Sequence, residues 1–71
     1  MPYNKNKTIT EREKEVLFYM AKGYNYNQIA DELIISPATV RKHIENIYKK
    51  LDVHNKVEAI HVAIKNKLIN N

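Results

Sequence analysis

Residues 36–51 read Ser36-Pro37-Ala38-Thr39-Val40-Arg41-Lys42-His43-Ile44-Glu45-Asn46-Ile47-Tyr48-Lys49-Lys50-Leu51, and the way this stretch sorts its residues decides the fold. Ser36 followed by Pro37 is a helix start. The serine caps free first-turn amides, and proline at the first helical position has no amide to lose and a φ already suited to the helix. From there Val40, Ile44, Ile47 and Leu51 recur in steps of three and four and fall within about 60° on a 3.6-residue wheel. The stretch predicts a helix over 37–51, about 22 Å long, packed by one narrow apolar stripe. The side away from that stripe carries Ala38, Arg41, Lys42, Glu45, Asn46 and Lys49, flanked by Ser36, Thr39, His43, Tyr48 and Lys50.

Working upstream, Asn25 caps a short helix over 26–33 with Ile29, Ala30 and Leu33 inward and Asp31 and Glu32 toward water. Before it, Thr10-Glu11-Arg12-Glu13 has the form of a capping box, in which the threonine hydroxyl serves the Glu13 amide and the Glu13 carboxylate returns to the Thr10 amide. The helix it starts runs over about 11–22, with Val16, Leu17, Met20 and Ala21 apolar. Gly23, the single glycine, stands where a left-handed residue ends it. Downstream, Asp52-Val53-His54-Asn55 breaks the pattern, and Asn55 caps a fourth helix from Lys56 to residue 66 or 67. Residues 1–9, with Asn4, Lys5, Asn6 and Lys7, read as a flexible polar lead outside the core. The expectation is therefore an all-α, four-helix domain over 10–69.

Size and composition narrow the function. Seventy-one residues allow one core, and a chain this small hides only about 60% of its unfolded surface, which leaves little room for a deep catalytic cavity. There is no nucleophile–base–orienter set and no glycine loop to cradle a phosphate, so an enzyme is not expected. Without cysteine the chain is neither a disulfide-stapled miniprotein nor a zinc finger. His43, His54 and His61, lacking a clustered acid, make a poor metal site. No metal, cofactor or small-molecule ligand is expected in this domain. No apolar run approaches the ~20 residues that span a bilayer, and no signal-peptide core follows Met1. A cytoplasmic, nucleoid-associated location without a membrane partner is the expectation.

The charge is +4, from 12 Lys and Arg against 8 Asp and Glu. Residues 36–56 hold Arg41, Lys42, Lys49, Lys50 and Lys56 against Glu45 and Asp52, so three of the four net charges sit on or just after the 37–51 helix. Two helices joined by a tight turn, with the motif at about 26–45, match the helix-turn-helix plan whose second helix enters the DNA major groove. On that plan Arg41 and Lys42 can donate to guanine, Glu45 can accept from cytosine N4, and Ala38 can offer a methyl to thymine. Asn25, Tyr26, Asn27, Ser36, Thr39, His43, Asn46, Tyr48, Lys49 and Lys50 are of the types that hold phosphates. On the fourth helix Ala59, Ile60, Ala63 and Ile64 share one sector, while Val57, His61 and Val62 lie outside it. Those three are a candidate two-fold dimer face that would set two recognition helices about 34 Å apart.

These residues also carry a resemblance. Thr10-x-Arg12-Glu13-x-Glu15-Val16-Leu17, Gly23, Ile29-Ala30-x-x-Leu33, Ser36-x-x-Thr39-Val40-Arg41-x-His43-x-x-x-Ile47-x-x-Lys50-Leu51 and Glu58-Ala59 resemble the LuxR/GerE-type helix-turn-helix domain of bacterial transcription regulators. The likeness covers about residues 10–67. It implies a four-helix double-stranded-DNA-binding domain that dimerises through its last helix on paired half-sites. Arg41, Lys42 and Glu45 then face bases, and Thr39, His43 and Lys50 lie near the backbone. Position 45 is often basic or neutral in such domains, so Glu45 repels phosphate unless it meets a cytosine amine or pairs with Arg41 or Lys49. The alternative is a protein-interaction module resembling sigma-factor region 4, with RNA polymerase as partner. A receiver or ligand-sensing domain normally precedes such a unit, so the chain reads either as a free-standing regulator or as the C-terminal part of a larger one.

Overall fold

The structure, a computed structural model, describes residues 8–69. Four helices follow one another: α1 (Glu11–Ala21), α2 (Tyr26–Leu33), α3 (Pro37–Leu51) and α4 (Lys56–Lys65), with no strand among the described residues. The expected bounds of α2 and α3 are met residue for residue, while α1 and α4 stop one or two residues early.

Each start is enforced by a side chain. The Glu13 amide donates to Thr10 Oγ1 at 3.1 Å and the Thr10 amide to Glu13 Oε1 at 2.9 Å. Asn25 makes the same reciprocal exchange with Gln28, at 2.9 and 2.8 Å. Ser36 Oγ accepts from the Thr39 amide at 3.1 Å. Asn55 Oδ1 accepts from the Glu58 amide at 2.9 Å. Such caps stabilise by roughly 1 kcal/mol each, and together they explain why helices this short begin where they do.

The ends differ in chemistry. Gly23 takes φ +90° after α1, a conformation open to glycine without strain. Asp52 after α3 has φ 56° and Ile34 after α2 has φ 58°. Aspartate tolerates the left-handed region; a β-branched isoleucine there costs roughly 1–2 kcal/mol. Ile34 is also 90% exposed, so packing does not offset that cost.

The core gathers Val16, Leu17 and Met20 of α1, Ile29 and Ala30 of α2, the stripe Val40, Ile44, Ile47 and Leu51 of α3, and Ala59 and Ala63 of α4. Two alanines with no exposed surface let α4 lie close against its neighbours. Ile9 corrects the polar lead expected through residue 9: it is 3% exposed and belongs to the core. The reason is tertiary, because Lys50 Nζ donates to the Thr8 carbonyl at 3.1 Å and pins this segment down. Residues 1–7 of that lead lie outside the described residues. Val62, expected on the free side of α4, is half-buried and packs on the core, whereas Val57 is 76% exposed and His61 is exposed.

Candidate nucleic-acid interface

With the stripe of α3 buried, its other side stands free. Ala38, Arg41, Lys42, Glu45 and Lys49 are exposed, and His43, Asn46 and Tyr48 are half-buried at the flanks. Among the described residues Arg41, Lys42 and Lys49 form no ion pair, and Glu45 pairs with neither Arg41 nor Lys49. The cations of this face are therefore available to an outside anion, and the Glu45 carboxylate is available to an outside donor.

The beginning of α2 closes on the same face. The Arg41 guanidinium lies 5.6 Å from the centre of the Tyr26 ring, a cation–π distance that ties α2 to the free side of α3. Ser36 Oγ and Thr39 Oγ1 are 2.9 Å apart and share a hydrogen bond at the exposed start of α3. Asn25, Tyr26, Asn27 and Tyr48, four residues expected at phosphates, line one cleft of about 470 Å³. Burial, and then the neighbouring Tyr26, raise the Tyr48 phenol above its ordinary pKa, so it stays protonated and able to donate.

Lys50 departs from expectation. Its Nζ lies 2.8 and 3.1 Å from the two carboxylate oxygens of Glu13 and 3.1 Å from the Thr8 carbonyl. Lys50 thus acts as a strut between α3 and the start of α1. Glu13 is 3% exposed. Burial alone would raise its carboxyl pKa, but hydrogen bonds from Lys50 and Thr10, with the charge of Lys50, bring it below the ordinary value. Sequence reasoning missed this pair because the partners lie 37 positions apart and Lys50 looks locally like Lys49.

Elsewhere the structure separates what the sequence left adjacent. Val57 and His61 are exposed on α4 and do not line the cleft that holds Asn25, Tyr26, Asn27 and Tyr48. A second cleft, about 360 Å³, is lined by Glu11, Lys14, Glu15, Phe18, Tyr19, Leu68 and Ile69 and holds no expected site residue. Among the described residues no three His, Asp or Glu side chains are grouped to hold a metal, and no helix is long and apolar enough to cross a membrane.

Comparison with known proteins agrees with this architecture. Residues 7–63 match the family model described as bacterial regulatory proteins, luxR family. The transcriptional regulatory protein DesR of Bacillus subtilis is 48% identical over 58 residues, covering 82% of this chain and 29% of DesR. The response regulator protein VraR of Staphylococcus aureus is 41% identical over 61 residues, covering 86% of this chain and 29% of VraR. The crystal structure of ChrA, a response regulator in a heme-sensing two-component system, superposes with a TM-score of 0.84 at 40% identity, over 87% of this chain and 31% of that one. The chain thus spans less than a third of the length of these relatives.

Proposed function

The chain belongs to the luxR family of bacterial regulatory proteins, a family of regulators and not of enzymes, and from that premise we propose that it binds double-stranded DNA sequence-specifically as the output domain of a transcription regulator. The observation that carries the reading is the α3 face itself. Its apolar stripe is fully spent on the core, while the opposite side offers Arg41 and Lys42 exposed and without an ion pair among the described residues.

In this reading α3 lies in the major groove, Arg41 and Lys42 donate to guanine edges, Glu45 accepts from a cytosine amine, and Ala38 meets a thymine methyl. Asn25, Tyr26, Asn27, Ser36, Thr39, His43, Asn46, Tyr48 and Lys49 position the helix through the sugar-phosphate backbone. The site of action is the cytoplasm, at the nucleoid. Two copies meet through α4, around exposed Val57 and His61, so that paired half-sites are read one helical turn apart. Named as they are, VraR and ChrA support the further reading that this domain is the DNA-binding part of a response regulator.

The test is affinity measured by fluorescence anisotropy on a duplex selected from a random pool and on unselected DNA, across a salt series. If each copy neutralises about three to five phosphates, the dimer gives a log–log salt slope of about −5 to −9. A selected duplex bound no more tightly than random DNA overturns sequence-specific reading. A 1:1 complex in sedimentation overturns the dimer.

A further inference from the structure

The cleft beside α3 contains two residues that the reading above does not use. Tyr24, just before α2, and Lys56, the first residue of α4, line it together with Asn25, Tyr26, Asn27 and Tyr48. Its floor is apolar, made by Met20, Ile29 and Ile44, each 3% exposed or less. No carboxylate lines it. Among the described residues Lys56 forms no ion pair, and the hydroxyls of Tyr24, Tyr26 and Tyr48 have no hydrogen-bond partner. Tyr24 is held in place from behind: its ring centre is 5.1 Å from that of Tyr19, and its amide donates to the Tyr19 carbonyl at 3.1 Å. The cleft thus presents hydroxyl donors and one ammonium at its rim over a hydrocarbon base.

We propose that this cleft seats one sugar-phosphate unit of the DNA backbone, with Lys56 as its cation and the Tyr24 and Tyr48 hydroxyls as neutral donors. The inference rests on the DNA-binding reading and adds α4 to the contact surface. A seat of about 470 Å³ is larger than a bare phosphate needs, and its two-part lining suits a deoxyribose carbon face below and phosphate oxygens at the rim. Because Asn25, Tyr26 and Asn27 belong both to this cleft and to the flank of α3, a phosphate held here fixes how α3 enters the groove. Val57, next to Lys56, is on the exposed side of α4 assigned to the second copy, so one turn of α4 serves both partners.

The two donor types separate in a salt series. Lys56→Ala removes a neutralised phosphate and with it a released counterion, so the slope falls in magnitude by about 0.9 per copy, and selected and random duplexes weaken alike by about three- to tenfold. Lys56→Arg keeps the slope. Tyr24→Phe weakens both duplexes by about two- to threefold with the slope unchanged, because a neutral donor releases no ion. Lys65→Ala, the same charge change at the other end of α4, retains the wild-type slope. A folded Lys56→Ala protein with wild-type slope and affinity, or an equal loss from Lys65→Ala, overturns the seat and leaves the DNA reading standing. A wild-type protein that binds no duplex overturns the reading and the seat with it.

Discussion

The two ends of α3 carry the same kinds of residue and put them to opposite uses. At the N-terminal end Arg41 and Lys42 are exposed and without an ion pair among the described residues. At the C-terminal end the ammonium of Lys50 is consumed by Glu13 and the Thr8 carbonyl, and Leu51 is buried beside it. The difference shows that positive charge on a helix does not by itself mark an interface. One cation is invested in holding the far end of the helix to the start of α1, and that anchorage fixes the direction in which the other end projects. Glu13 serves twice, since the carboxylate that closes the α1 capping box is also the one that receives Lys50. A buried charge with two sets of partners is tolerated where the same charge alone would be expelled.

The strongest way to break this contrast is Lys50→Ala, which strands the Glu13 carboxylate in the core. The expected loss is about 2–3 kcal/mol in urea unfolding, discounted from the fully buried case because Lys50 keeps some access to water. The surviving folded protein should keep the wild-type salt slope on DNA. A stable variant with a reduced slope would return Lys50 to the phosphate contacts. At the other end, Lys42→Ala or Arg41→Ala should leave urea unfolding within about 0.5 kcal/mol of wild type. Each should cost roughly 1–3 kcal/mol on a selected duplex and relax one base position. Equal losses on selected and random DNA would assign them to the backbone instead.

Acid sharpens the comparison more gently. The Glu13 carboxyl is held below its ordinary pKa in the fold, so its contribution is complete above the pKa of the unfolded chain and is lost as pH falls through the lower folded value. Unfolding free energies measured from pH 7 down through the carboxylate range should fall more steeply for wild type than for Glu13→Gln, which has no proton to take up there. The smallest effect concerns the turn between α2 and α3. Ile34→Asn exchanges a strained β-branched residue for one that accepts left-handed backbone and should stabilise by about 0.5–1 kcal/mol in thermal unfolding.

How much of this was legible in the sequence follows the range of the interactions. The starts of α2 and α3 were readable to the residue because Asn25 and Ser36-Pro37 act within one turn. The end of α1 was readable because Gly23 is the single glycine. The left-handed end at Ile34 was not, since a β-branched residue disfavours that conformation. Ile9 sits in a polar stretch without periodicity, and its burial comes from joining the core formed by residues distant in sequence. The free face of α3 was legible because one helix contains all of it. The cleft was not, because Tyr24, Tyr48 and Lys56 converge from three elements and share no local pattern.

The central claim is that DNA meets the start of α2 and the free face of α3, and not the side on which Lys50 is held to Glu13. A titration of the isotopically labelled protein with duplex DNA, followed by amide chemical shifts, addresses it directly at single residues. Salt-sensitive shifts are expected at residues 24–27, 36–49 and 56, with the signals of Glu13, Phe18 and Leu68 nearly still. Largest shifts around the α1 cleft of Glu11, Glu15 and Phe18, with Arg41 and Lys42 unmoved, would contradict it.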